Sequence, residues 1–232
     1  MYRKLSLTSI LAIAALVGAG VLWASTLPEV GWWKFDEPSG VVAFDATGFA
    51  HNGTLMGSAA FMPDPVMGNV LEIYGPSGEV RVQHSANFEP ETGTVEVWVK
   101  LNVLQHTDVV RKTTDFLVNR QQAGEYYAYG LRVLRNGTVQ AVICNDDLAS
   151  SRWLATANTK AMAVRENQWV HLAMRWDGSM LSIFVDGKLA AAATYTPVPG
   201  TGLSYHGSSD LKFGAAWGDL EFNGYLSDAR LY

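Results

Sequence analysis

The sequence predicts an all-β fold, an antiparallel sandwich or barrel, preceded by an apolar N-terminal export helix. Three observations carry that prediction. Helical periodicity is hard to find beyond the export segment. Short β-branched and aromatic runs recur instead, separated by turn dipeptides. The remaining stretch, about 205 residues, also suits one domain, because sandwiches and barrels often run to about 200–250 residues.

The N-terminus reads first. Arg3 and Lys4 precede an apolar run from Leu5 to Trp23, followed by a polar break at Ser25 and Thr26. A basic flank, an apolar stretch and a polar break form the layout of a secretory signal. About 19 apolar residues are also enough to cross a bilayer as an uncleaved anchor. Small residues cluster at Ala24, Ser25 and Thr26, while Leu22 and Trp23 interrupt a small-x-small cleavage site. Residues 1–25 are therefore expected to be a signal peptide or signal anchor, and 26–232 an extracytoplasmic domain that is secreted, periplasmic or at the cell surface. Membrane contact is expected only through the first segment, where it is retained.

Strands and turns follow. In Thr94–Lys100, Val95, Val97 and Val99 alternate with other residues, as a half-buried strand requires. Asn136-Gly137, Asp177-Gly178 and Asp186-Gly187 each separate two β-rich runs. These pairs suit type I′ hairpins, whose central residues both need positive φ, so the segment reads as an antiparallel meander. The Ala190–Ala193 run follows a hairpin and reads as strand. Nothing indicates a second domain, and no internal repeat is found.

Four segments in order carry a family resemblance. Trp32-Trp33-Lys34-Phe35-Asp36-Glu37-Pro38-Ser39-Gly40, then Asp45-Ala46-Thr47-Gly48 and His51-Asn52-Gly53, form the first, and Gly93–Lys100 the second. The third is Trp169-Val170-His171-Leu172-Ala173, Trp176-Asp177-Gly178 and Ile183–Lys188, and the fourth is Phe222–Tyr232. Together they resemble the laminin-G-like jelly-roll domains of the concanavalin-A-like kind. That resemblance implies a two-sheet jelly roll whose first and last segments pair. It also implies one structural Ca2+ held by Asp45 and Asp228, with Asn52 and the Gly48 carbonyl as helpers. Ser227 stands where the family often has Asp, which removes charge from that neighbourhood.

Charge and motif content exclude several functions. Loss of Arg3 and Lys4 takes the formal net charge from −5 to −7. Such acidity argues against nucleic acid, whose phosphates need a basic face. The single cysteine, Cys144, cannot form an intrachain disulfide, and its apolar strand makes it a small buried hydrophobe. No carboxylate triad on alternate strand positions, nucleophile elbow, zinc-protease motif or phosphate loop occurs. His171, among Val170, Leu172 and Ala173, reads as a structural strand histidine. Catalysis is not expected.

Sugar sites combine flat aromatic surfaces with a few oriented polar groups. The loop candidates are Tyr127, Tyr129, Asn145, Asp146, Trp153 and Trp217, with Trp33, Trp98, Trp169 and Trp176 assigned to motif strands and the core. The expected function is non-catalytic recognition of a polysaccharide or other glycan. An adhesive module for a surface protein is the alternative, and a glycoside hydrolase comes third.

Overall fold

The computed structural model describes residues 28–75, 77–114, 126–144, 154–197, 203, 209–214 and 222–232, with backbone only at 113, 114, 126 and 127. The export segment lies outside the described residues. Among those described, no helix is long and apolar enough to cross a membrane.

Among the described residues, sixteen strands form two antiparallel sheets, and one 3-10 turn at Ala86–Phe88 is the helical element. Sheet A runs β14 (Lys188–Thr194), β13 (Met180–Val185), β12 (Val170–Trp176), β7 (Gly93–Leu101), β16 (Gly224–Leu231), β5 (Gly68–Ile73), β4 (Ala60–Asp64). The first strand, β1 (Gly31–Trp33), also pairs with β16, with Gly31 opposite Leu231. First and last segments therefore meet, as the resemblance implied. Sheet B runs β11 (Ala155–Asn158), β10 (Val139–Ile143), β9 (Tyr126–Val133), β8 (Thr107–Thr114), β15 (Leu211–Phe213), β6 (Glu79–Val82), β3 (Gly53–Met56), β2 (Val42–Ala43).

Alternation sorts the side chains. Val95, Val97, Val99 and Leu101 of β7 turn inward and are buried, as are Val80, Val82, Leu211 and Phe213 of sheet B. Each such side chain contributes about 1.5–3 kcal/mol through removal from water. Trp33 packs on Phe213 with ring centroids 5.0 Å apart, and Trp176 stacks on Tyr129 at 4.9 Å. Of the four tryptophans assigned to core, Trp33 and Trp176 are fully buried; Trp98 and Trp169 lie half-buried on the outward side of sheet A.

The three hairpin dipeptides differ in detail. Asp186 (φ 49°) and Gly187 (φ 74°) both have positive φ, as type I′ demands. At the other two, only Gly137 and Gly178 do. The reason is local hydrogen bonding: Asn136 Oδ1 accepts the Thr138 N–H, and Asp177 Oδ1 accepts those of Ser179 and Met180. These side chains close Asx turns in which the first residue keeps a negative φ.

Candidate ligand-binding face

The motif residues around Asp45 organise the first strand. Asp45 Oδ1 accepts the Trp32 and Thr47 amides, each at 3.0 Å, and Oδ2 accepts the His51 amide at 3.0 Å. The Thr47 hydroxyl donates to the same carboxylate. Burial pushes the Asp45 carboxyl upward, but these donors outweigh it and hold it below the usual carboxylate range. Asn52 Oδ1 accepts the Asp45 N–H at 2.9 Å. Gly48 takes φ +92° in the exposed turn, a conformation that suits glycine. Asp228 occupies a positive-φ bulge in β16, where Oδ1 accepts the Trp32 indole N–H at 2.6 Å and both oxygens face the Arg230 guanidinium.

This arrangement does not fit the expected calcium ion. A Ca2+ site needs some six to eight oxygens turned toward one point. Here the side-chain oxygens of Asp45, Asn52 and Asp228 face N–H and O–H donors, and Arg230 brings a positive charge beside Asp228. Among the described residues, no three His, Cys, Asp or Glu gather closely enough to hold a metal. The motif aspartates are hydrogen-bond hubs that tie Trp32 to its neighbours.

The polar cleft lies elsewhere. On the outward side of sheet B, Asn52, Thr54, Met56, Arg81, Gln83 and Asp210 line a cleft of about 290 Å³. Arg81 is held by ion pairs with Glu79 and, at 3.9 Å, Asp210. Asp210 in turn accepts the His84 amide at 3.0 Å. Strand register continues this face: Thr54 stands opposite Arg81, Arg81 opposite Lys212, Lys212 opposite Arg111, and Arg111 opposite Gly130. Beyond the β8 bulge, Asp108 stands opposite Arg132 and lies 3.5 Å from Arg111 Nη1 and 3.6 Å from Arg132 Nε. Farther across, Val142 and Cys144 make a small apolar cluster apart from the main core, so Cys144 is buried as expected.

Of the residues expected to bind ligand, Tyr129 is the correction. It is fully buried, its hydroxyl donating to the Phe88 carbonyl at 3.2 Å, and burial drives its ionisation far above the ordinary range. It points inward because it alternates with Leu131 and Val133 on the core-facing side of β9. Asn145, Asp146, Trp153 and Trp217 lie outside the described residues, as does the Tyr127 side chain. The strand ends nearest the first three are placed: Ile143 pairs with Tyr129, and Ala155 with Ile143, at one end of sheet B.

The outward side of sheet A was not anticipated. His171, nearly buried, packs against Trp98 with ring centroids 5.2 Å apart, its Nε2 3.6 Å from Glu96 Oε2. Burial lowers the His171 pKa and raises that of Glu96, which accepts the Tyr232 hydroxyl at 3.0 Å. Lys100 pairs with Asp64 and sits over the Tyr225 and Trp169 rings, 4.4 and 5.1 Å from their centroids. The alternation in Thr94–Lys100 already placed Glu96, Trp98 and Lys100 on one face; their partners come from distant strands, which no local pattern reveals.

The family sequence model described as concanavalin A-like lectin/glucanases superfamily, of the laminin G type, matches residues 75–232. The chain belongs to that superfamily. No curated protein matches the sequence. Solved structures share the fold. Domain 4 of AbnA, a GH43 extracellular arabinanase from Geobacillus stearothermophilus solved with arabinotriose, aligns with TM-score 0.58 at 20% identity. That alignment covers 88% of this chain and 91% of that one. Trypanosoma rangeli sialidase in complex with sialic acid gives 0.63 at 15% identity, over 88% of this chain and 30% of the sialidase. The binding domain of botulinum neurotoxin serotype D gives 0.59 at 11%, over 88% and 48% respectively. The superfamily fold is thus found in both carbohydrate-active enzymes and binding domains, and only the chemistry of a site distinguishes them.

Proposed function

We propose that this chain is an extracytoplasmic, non-catalytic module that recognises carbohydrate on the outward face of sheet B. The observation that carries the reading is the cleft: amide, hydroxyl, guanidinium and carboxylate groups converge beside the apolar Met56. That mixture suits sugars, whose hydroxyls need oriented donors and acceptors while their C–H faces need apolar contact. The structural likeness to arabinanase domain 4, solved with an arabinose oligosaccharide, is consistent with it.

The way the carboxylates are used supports the non-catalytic reading. Retaining hydrolysis needs a nucleophile and a raised acid about 5–5.5 Å apart, flanking one bond. Asp210 of the cleft and Glu79 beside it are both tied to Arg81. Glu96, whose carboxyl is raised by burial, belongs to the other sheet and is capped by Tyr232. A protein-binding role has its own support, because Trp98, Trp169 and Tyr225 cover the outward side of sheet A half-buried.

A glycan array probed with the protein in calcium and again in chelator tests the proposal. Binding to a defined sugar class that survives chelator and weakens about tenfold in Gln83→Ala is the expected result. No sugar binding by folded protein would refute it and leave the face of sheet A as the functional surface.

A further inference from the structure

We propose that the glycan is acidic, and that its anionic substituent seats on Lys212 between Arg81 and Arg111. This inference rests on the carbohydrate reading above and specifies its ligand class.

The register is the starting point. Arg81, Lys212 and Arg111 stand directly opposite one another on three adjacent strands, β6, β15 and β8. All three lie on the side of sheet B away from the core, since Leu211 and Phe213 on either side of Lys212 are core residues only 1% exposed. Their accessibility is graded: Arg81 is exposed, Lys212 half-buried and Arg111 buried, so Arg111 forms the enclosed end of the row. Like charges at directly opposed positions destabilise a sheet. Composition does not force the row, because the chain has fewer cations, 17, than acids, 22.

Counter-charges are supplied at the two ends. Glu79 and Asp210 hold Arg81, and Asp108 lies against Arg111. The central Lys212 is half-buried, and among the described residues no acidic side chain lies within ion-pair distance of it. Held guanidinium groups flanking a lysine suit a planar carboxylate or a sulfate, which accept several charge-assisted hydrogen bonds at once. Thr54 and Arg81 of the cleft belong to the same row, so one saccharide could place its ring in the cleft and its acid on Lys212.

A nucleic acid is a poorer match. Glu79, Asp210 and Asp108 interleave with the cations and would repel a continuous phosphate chain. A sugar polymer with one acid per ring tolerates that spacing.

The test is titration of the full chain with oligogalacturonate, a heparin-derived oligosaccharide, neutral arabinan and galactan oligosaccharides, and single-stranded DNA, at low and high salt. Lys212→Gln and Lys212→Glu are compared with wild type after circular dichroism confirms the fold. The acidic saccharides should bind more tightly than the neutral ones and weaken with salt. Lys212→Gln should lower acidic affinity about tenfold and Lys212→Glu further, with neutral affinity within about twofold of wild type. The tighter of the carboxylated and sulfated probes identifies the substituent. Neutral sugars bound as tightly as acidic ones, or a Lys212→Glu protein that binds acidic sugar normally, would overturn the acidic seat while leaving carbohydrate recognition standing. Binding of no sugar would overturn both, and DNA bound above every saccharide would reassign the row.

Discussion

Replacing Asp45 with Ala should loosen the seam around Trp32 without any metal being involved. The carboxylate accepts the amides of Trp32, Thr47 and His51 and the Thr47 hydroxyl, four donors in all. Each hydrogen bond is worth about 1 kcal/mol net. The site is half-exposed and water can replace part of the loss, so Asp45→Ala should cost about 2–3 kcal/mol. For a domain of this size that lowers Tm by about 5–10 °C. Asp45→Asn keeps one acceptor oxygen and should lose about half as much. The sign with pH follows from the depressed carboxyl. Its contribution is fully present above the unfolded value near 3.9 and is lost as pH falls through the folded value. The gap between wild type and Asp45→Ala should therefore narrow in acid. Thermal melts by circular dichroism, run in calcium and in chelator, decide the matter. Wild type should melt at the same temperature in both. A wild-type Tm that drops in chelator to the Asp45→Ala value would show that Asp45 is a metal ligand.

Three further outcomes are expected. Burial raises the Glu96 carboxyl, so ionising it opposes folding increasingly as pH rises from about 4.5 through the folded value; Glu96→Gln should remove that decline in denaturant titrations run against pH. His171 has its pKa lowered by burial, so stability should fall as pH drops below about 6.5 toward the folded value, and His171→Gln should flatten that limb. A Cβ added at Gly224 would strike the Lys100 backbone carbonyl, so Gly224→Ala should cost about 2–4 kcal/mol in urea unfolding, with unfolded protein appearing at 37 °C.

Much of the fold was legible because its signals are local. The alternating valines of β7, the Gly-containing turns and the buried Cys144 each follow from a few adjacent residues. The Asx closure of two hairpins was not, because Asn136 and Asp177 can serve either a left-handed backbone or one of negative φ capped by their own side chains. The candidate site was less legible for a different reason. Asp45 and Asp228 have the right chemistry for a cation, but whether their oxygens face a cavity or an amide depends on the placement of Trp32, which pairs with a strand some two hundred residues away. Tyr129 was read as a loop aromatic although its strand places it in the core. The row Arg81, Lys212, Arg111 is spread across 131 residues and exists only through strand register.

The position of β16 bears on how the chain reaches this state. It comes last in sequence among the strands of the described residues, yet it stands inside sheet A, with β7 on one edge and β5 and β1 sharing the other. Until residues 224–231 are available, the β4–β5 pair and the β7, β12, β13, β14 group have no strand to join them. Pairings this distant in sequence fold slowly. A nascent chain therefore cannot complete sheet A until β16 itself has been made.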